Sequence, residues 1–291
     1  MDAEQNCTIK QQIQGIFDRA APTYGHVGAN FFSYFGERLV NMARLSAGNT
    51  VLDIATGRGA VLFPAAEAVG PMGRVVGIDI APAMIAATQA DVMARGITTV
   101  KLKQMDAEQL TFPDASFDSI LCGFALFALP HLEQALSEMH RVLRPGGHIA
   151  VSTWVNVWGP EGIWLEPLQM QFLPPFQPPA RNKDGSQPVF DTPDGLSAVL
   201  ARAGFTNITI IADTARFFYA DEEAWWASLW SHGMRGWLEA VEQQQGSAAL
   251  QRFKAAAFAE LAARRTPEGL PQTSSVLFGV ATKGLKIHEG V

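Results

Sequence analysis

The chain has 291 residues, of which 48% are hydrophobic and 17% are charged, so it is long and apolar enough to fold around a substantial core. Its formal charge of −6, without a dense basic block, argues against DNA or bulk RNA as a partner. The longest apolar run, residues 120–129, is about half of the ~20 residues that a transmembrane helix requires. The sequence therefore predicts a globular protein without a membrane span.

The start of the chain has neither a basic segment nor an apolar segment of the secretory type, so we expect a cytoplasmic location. Cys7 and Cys122 lie in unlike surroundings and provide neither a disulfide framework nor metal-ligand spacing. No metal site is predicted, and a homo-oligomer is compatible with the sequence.

Short β-branched segments alternate with stretches of helical period, which indicates βαβ units and a parallel sheet. Helices are predicted at about 82–96, 132–143 and 194–203, and further helices within 221–264. Strands are predicted at residues 51–54, 74–79, 100–104, 117–122, 148–153, 206–212 and 275–282.

The first predicted strand leads into a glycine-containing turn ahead of a helical stretch. Gly57 and Gly59 of this turn let the backbone approach a ligand, and the next helix offers its N-terminal amides. Asp79 ends the second strand 20 residues after Gly59, where a carboxylate can accept hydrogen bonds from both hydroxyls of an adenosine ribose. A nicotinamide dinucleotide and S-adenosylmethionine both match this pattern. Leu62 stands where the dinucleotide turn needs a third small residue, which favours S-adenosylmethionine.

A third acid, Asp106, follows the third strand, where it can accept from an adenine amino group. Together with the turn, Asp79 and the segments 117–120 and 141–147, it resembles the class I S-adenosylmethionine-dependent methyltransferases. Within them the chain is similar to the branch that includes the ubiquinone and menaquinone C-methyltransferases. The segment 17–24 resembles the leader of that branch, whose tyrosine, here Tyr24, lies over the cofactor.

The resemblance implies an α/β fold with a Rossmann-like sheet of seven strands, the last of them antiparallel, and an α-helical, aromatic lid insertion. It implies an N-terminal helical lid at 1–45, an S-adenosylmethionine-binding core at 46–153 and a C-terminal part of the core at 194–291. A Pro- and aromatic-rich insertion is expected at 154–193, and a helical substrate lid at 221–264.

The resemblance assigns the cofactor to residues at the strand ends and in the leader. Ala55 is one of them, although the family usually has the first glycine of its turn there. The expected cofactor-binding residues are Tyr24, Asp53, Ala55, Gly57, Gly59, Asp79, Ile80, Met84, Asp106, Ala107, Gly123 and Phe124.

After the fourth strand, where many relatives have His or other polar residues, this chain has the apolar segment 123–129. Methyl transfer from a sulfonium needs a base only if the acceptor must lose a proton. We therefore expect a small lipophilic acceptor of secondary metabolism, either isoprenoid, quinone-like or polyketide-like, with C-methylation slightly favoured. The alternatives are O-methylation of a small aromatic or hydroxylated metabolite, a cofactor-binding partner protein without catalysis, and a nicotinamide-dependent reductase.

Aromatic residues cluster at 217–237, either as core or as a pocket whose ring faces stabilise positive charge. His232 is interpreted as a general base or an acceptor-orienting donor, with a partly exposed helix histidine as the alternative. Arg235 either binds an anionic group or has a surface role. The expected catalytic residues are His232, Phe127 and Trp230, and the expected acceptor-binding residues are Trp154, Trp226 and Arg235.

Overall fold

The computed structural model describes residues 3–156, 159–173 and 189–285. Its strands form one sheet in the order β3-β2-β1-β4-β5-β7-β6. The strands are β1 (Thr50–Ile54), β2 (Arg74–Asp79), β3 (Val100–Gln104), β4 (Phe117–Gly123), β5 (Leu143–Asn156), β6 (Phe205–Tyr219) and β7 (Leu270–Lys283).

The helices before β5 are α1 (Ala3–Ala20), α2 (Phe31–Met42), α3 (Leu62–Val69), α4 (Pro82–Ala94) and α5 (Leu132–Val142). The later helices are α6 (Leu165–Gln169), α7 (Pro193–Arg202), α8 (Glu222–Trp230), α9 (Met234–Gln245) and α10 (Ser247–Ala262). None of the helices in the described part of the chain is long and apolar enough to cross a bilayer.

The first five strands run parallel, and β7 lies antiparallel between β5 and β6. This topology confirms the predicted α/β sheet of seven strands with its last strand antiparallel. Ile54 is opposite Ile78 on one side of β1 and opposite Cys122 on the other. The chain therefore leaves β1, β2 and β4 at the same edge of the sheet, and the residues that follow these strands meet there.

The last two strands are longer than the periodicity predicts, because each supplies the other with hydrogen-bond partners beyond the end of β5. Tyr219 of β6 is opposite Leu270 of β7, well beyond the predicted limits of 206–212 and 275–282. Phe217 and Phe218, which belong to the aromatic cluster at 217–237, are consequently strand residues.

Helices cover both faces of the sheet. One apolar cluster packs α5 and α7 against the strands, and a second packs α2 and α3 against the opposite face. A third cluster joins α6, which precedes α7, to α8, α9 and α10, and these four helices form a separate helical layer. Only α8, α9 and α10 are inserted in the chain between β6 and β7. Of the Pro-rich insertion predicted at 154–193, β5 takes the beginning, α6 is short, and residues 174–188 lie outside the described residues. The predicted domain boundaries stay predictions.

Candidate cofactor and acceptor site

Two adjacent cavities open at the edge of the sheet where the parallel strands end. The larger has a volume of about 590 Å³ and the smaller about 50 Å³, and Ala55 lines both. The smaller cavity brings together Asp79, Ile80, Asp106 and Ala107. Predicted residues that line the larger cavity are Tyr24, Asp53, Ala55, Gly57, Gly59, Gly123 and Phe124.

Asp79 joins the end of β2 to the glycine turn. Its Oδ2 accepts a hydrogen bond from the Gly57 N–H at 2.9 Å, and its Oδ1 accepts from the Ala81 N–H at 2.9 Å. Burial raises the pKa of this carboxyl to about 6, because desolvation disfavours the charged form and the two N–H donors only partly offset it. The carboxylate lies where the sequence predicts a ribose-binding acid.

Helix α1 covers the smaller cavity, a contact that the sequence analysis missed. Lys10 Nζ lies 2.6 Å from Asp106 Oδ2 and 2.5 Å from Glu108 Oε2. Glu108 is buried and also accepts from the backbone and ring nitrogens of His131. The adenine end predicted for the cofactor is therefore bounded by a cation from the N-terminal helix.

The turn after β1 has three residues in left-handed backbone conformation. Their φ angles are 53° at Ala55, 49° at Gly57 and 81° at Gly59. Glycine adopts this conformation without steric cost, whereas alanine bears it at about 1–2 kcal/mol. Beside the turn, Thr56 donates to Asp53 Oδ2 at 2.5 Å, and burial raises the pKa of Asp53 to about 7.

Aromatic rings from distant segments close the larger cavity. The Tyr24 ring stacks on Phe32 of α2, with centroids 5.0 Å apart. Phe124 follows β4 and stacks on Trp154 of β5, with centroids 4.1 Å apart. Phe32 also contacts Phe124 edge-on at 5.9 Å, so the rings form a continuous wall. Burial raises the pKa of the Tyr24 hydroxyl above its usual value, because desolvation disfavours the charged phenolate.

His232 is connected to this wall through Phe31. The centroid of the Phe31 ring is 5.6 Å from that of Trp154 and 6.3 Å from that of the imidazole. The imidazole Nδ1 accepts from the Met234 N–H at 3.3 Å. Burial lowers the pKa of His232 to about 4, so the ring is neutral near pH 7. Because Nδ1 accepts, the proton of the neutral ring resides on Nε2, which makes the free nitrogen a donor.

The other predicted acceptor residues lie in the helical layer. Trp226 packs against Phe253 at 6.1 Å and against Trp230 at 6.2 Å. Arg235 donates to the Trp230 carbonyl at 2.7 Å, and its guanidinium lies over the ring of that residue at 5.4 Å. These contacts are those of a packed helical core, in a different cluster from the wall at Phe124 and Trp154.

Two further predicted residues have other surroundings. Phe127 is half-buried in the short 3₁₀ turn Leu126–Ala128, just before residues that line the smaller cavity. Met84 of α4 is buried in a small apolar cluster with Ala20, Ala21 and Ala81, beneath the leader.

The residues present match S-adenosylmethionine. A buried carboxylate at the end of β2 can accept from ribose hydroxyls, Asp106 borders the smaller cavity, and the turn exposes backbone to the larger one. Residues that sequence reasoning missed are Lys10, His26, Phe31 and Phe32. The first lies on α1, the second in the loop after Tyr24, and the other two begin α2. The only sequence signal for them is their position in the predicted N-terminal lid.

The family model described as "Methyltransferase domain" matches residues 51–147. A nocamycin O-methyltransferase from Saccharothrix syringae is 34% identical over 242 residues, which cover 80% of this chain and 86% of that protein. An aklanonic acid methyltransferase from a Streptomyces species is 42% identical over 149 residues, 51% of this chain and 68% of that protein.

A demethylmenaquinone methyltransferase from Geobacillus stearothermophilus is 35% identical over 142 residues, which cover 47% of this chain and 61% of that protein. Among solved structures, the YcgJ protein from Bacillus subtilis has a TM-score of 0.55 at 19% identity, over 86% of this chain and 99% of that chain. This structural likeness concerns the fold alone.

Proposed function

The chain belongs to the class I S-adenosylmethionine-dependent methyltransferases, and from that premise we propose that it methylates an already ionised oxygen of a small lipophilic metabolite. A carboxylic acid of polyketide-like type is the acceptor class that we favour. When bound, S-adenosylmethionine supplies a methyl group activated by a positively charged sulfur. Asp79 would bind its ribose and Asp106 its adenine, while Tyr24 and Phe32 exclude water from the transfer site.

The packing of His232 against Phe31, together with its lowered pKa, carries this proposal. A base with a pKa of about 4 is poorly matched to an alcohol or phenol, whose pKa is about 10 or more. A carboxylic acid with a pKa of about 4 is ionised at neutral pH and needs no base. Nε2–H of the neutral imidazole is instead suited to donate a hydrogen bond to the acceptor oxygen.

Two relatives support oxygen as the methylated atom and an acid as the acceptor. The relative of which this chain covers 86% is named an O-methyltransferase. The second is named for an acid, aklanonic acid. The aromatic wall made by Phe32, Phe124 and Trp154 would hold the apolar part of such an acceptor.

C-methylation is the second candidate, favoured by the stacked rings of Phe124 and Trp154 and by the demethylmenaquinone relative. Aromatic faces stabilise positive charge that develops when an alkene attacks the methyl group. In that case the wall would act on the transition state rather than on acceptor binding alone. The cytoplasmic location and self-association stay predictions.

The experiment uses methyl-labelled S-adenosylmethionine with matched aromatic acceptors that carry a carboxylic acid, a phenol or a prenylated quinol ring. Labelled products are then treated with mild alkali, which hydrolyses a methyl ester and releases labelled methanol. Methyl ethers and C-methyl products retain their label. Alkali-labile label from the acid alone is the expected result, and alkali-stable label from the phenol or the quinol would overturn the proposal.

A further inference from the structure

Arg58, the residue between the two glycines of the turn, connects that turn to the leader. Its side chain is nine-tenths buried. Its Nη1 donates to the Ala21 carbonyl at 2.6 Å, and its Nη2 donates to Asp91 Oδ2 of α4 at 2.6 Å. The guanidinium therefore joins three separate segments: the turn after β1, the chain just after α1, and α4.

A second side chain of α4 forms a hydrogen bond with the same turn. Thr88, one helical turn before Asp91, is fully buried and donates to the Gly57 carbonyl at 2.7 Å. Residues three apart on a helix lie on one face, so Thr88 and Asp91 contact neighbouring parts of the turn. The carbonyl oxygen of Gly57 and the guanidinium of Arg58 are thus both hydrogen-bonded to side chains of α4.

The leader also forms a hydrogen bond with α4 directly. Asp18 Oδ1 of α1 accepts from the Ala83 N–H in the first turn of α4 at 2.9 Å, a favourable place for a carboxylate. The Tyr24 N–H donates to the Ala20 carbonyl at 2.9 Å, so the position of the tyrosine depends on where residues 20 and 21 lie. Asp18 therefore holds the leader just before residues 20 and 21, and Arg58 holds it at Ala21.

We propose that Arg58 is a positioning residue for cofactor binding, which fixes the leader through the Ala21 carbonyl so that Tyr24 closes the larger cavity. Although the residue lines the larger cavity, its guanidinium acts through Tyr24, because both terminal nitrogens donate to protein oxygens, those of Ala21 and Asp91. An ideal Cβ on Gly57 lies 3.5 Å from Tyr24 Cε1, so the ring is seated directly over the turn that Arg58 belongs to. This inference rests on the cofactor assignment in the proposed function.

Arginine is suited to this role because its planar guanidinium donates in two directions from one rigid group. A lysine has a single ammonium on a flexible stem and holds only one of the two partners well. Arg58→Lys should therefore retain part of the effect, and Arg58→Met should lose it. Asp91→Asn keeps the shape of its side chain and removes the charge, so it should act in the same direction as Arg58→Lys.

The test is a double-mutant cycle on S-adenosylhomocysteine binding, measured by calorimetry with the full-length chain. Arg58→Met and Tyr24→Ala are each expected to raise the Kd by about tenfold, a typical coupling between sites. The double variant should show a Kd no more than about twice that of the weaker-binding single variant, because both changes remove the same closure. Amide hydrogen exchange over residues 18–28 should be faster in Arg58→Met than in the unsubstituted chain.

Arg252→Met, on the exposed face of α10, is the matched control and should change neither readout. Additive effects, near a hundredfold in the double variant, or an unchanged Kd in Arg58→Met, would overturn the inference. If Arg58→Met does not fold by circular dichroism, the same cycle with Arg58→Lys decides. Failure of the unsubstituted chain to bind S-adenosylhomocysteine would instead reject the cofactor assignment.

Discussion

The indole of Trp154 stacks on the ring of Phe124 with centroids 4.1 Å apart and an interplanar angle of 20°. Phe124 reaches this position in a left-handed backbone conformation, with a φ of 55°, and its N–H donates to the Ser152 carbonyl of β5 at 3.0 Å. Two adjacent strand ends therefore hold the stack beside Gly123. A rigid aromatic surface at this place is suited to orient a flat apolar acceptor.

Replacing Trp154 tests whether this stack belongs to the acceptor site. Trp154→Leu should weaken acceptor binding by about 0.5–1.5 kcal/mol, or roughly two- to tenfold in KM, because Phe124, which lines the larger cavity, loses its stacking partner. The Kd of S-adenosylhomocysteine should stay unchanged. Trp230→Leu is the matched change in the helical layer, and it should lower Tm without altering KM. A raised KM in Trp230→Leu with an unchanged KM in Trp154→Leu would instead place Trp230 in the acceptor site.

Removing the Asp79 carboxylate should weaken cofactor binding. Asp79→Ala eliminates the acceptor for the ribose hydroxyls and should cost about 1.5–3 kcal/mol, or roughly 10- to 100-fold in the Kd of S-adenosylhomocysteine. Calorimetry measures this loss directly. Asp191→Ala, an exposed carboxylate before α7, should leave the Kd unchanged. Equal Kd values for the two variants would exclude Asp79 from the cofactor site.

Cofactor binding should depend on pH through Asp79. Burial raises the pKa of this carboxyl to about 6, and its ionised form is the better acceptor for the ribose hydroxyls. The Kd of S-adenosylhomocysteine should therefore fall as the pH rises from 5 to 7.5, by up to about tenfold per pH unit below 6. Calorimetry across this range should show a flatter profile for Asp79→Asn, and a flat profile for the unsubstituted chain would contradict the prediction.

The same raised pKa values make the ligand-free protein less stable as the pH rises. An unfolded aspartate has a pKa of about 3.9, whereas burial raises the pKa of Asp79 to about 6 and that of Asp53 to about 7 in the folded chain. Between these values the folded state binds more protons than the unfolded state, so the free energy of unfolding falls as the pH rises from about 4 to 7. Urea unfolding in Asp79→Asn should show a smaller fall.

His232 should not behave as a general base. With a pKa lowered to about 4 by burial, its ring does not titrate between pH 6 and 8. His232→Gln preserves a side-chain N–H donor, so turnover of the acid acceptor should change by less than about threefold, against the 10²–10⁴-fold loss expected for a base. His26→Gln, in the exposed loop that lines the larger cavity, provides the comparison. A large loss in His232→Gln but not in His26→Gln would contradict this prediction.

The two glycines of the turn should respond differently to alanine. A Cβ at Gly57 would meet only the Tyr24 ring, with Cε1 at 3.5 Å, whereas a Cβ at Gly59 would lie 2.5 Å from Phe63 Cε2. Gly57→Ala should therefore cost about 1–2 kcal/mol for its left-handed conformation. Gly59→Ala must also displace a packed ring and should lower the free energy of unfolding further. Urea unfolding of both variants checks the order, and a reversed order would contradict this geometry.

Local patterns were sufficient to predict the sheet, the glycine turn and the acid that ends β2. A strand, a tight turn and a helix each depend on residues close together in the chain, and Asp79 follows Gly59 at an offset that one βαβ unit imposes. The length of β6 and β7 was not predictable in this way, because their outer halves pair with each other rather than with the rest of the sheet. Strand pairing of that kind depends on segments far apart in sequence.

The lining of the two cavities was decided only by the tertiary structure. Aromatic residues at helical spacing look the same whether they pack a helical core, as Trp226 and Trp230 do, or border a cavity, as Phe32 does. Likewise, nothing near Lys10 in the sequence indicates that its ammonium meets Asp106, 96 residues away. The sequence by itself determined the cofactor class, because that information lies within single βαβ units. The packing of α1 and α2 decided which side chains line the two cavities, because those contacts join distant segments whose local patterns are unaffected by them.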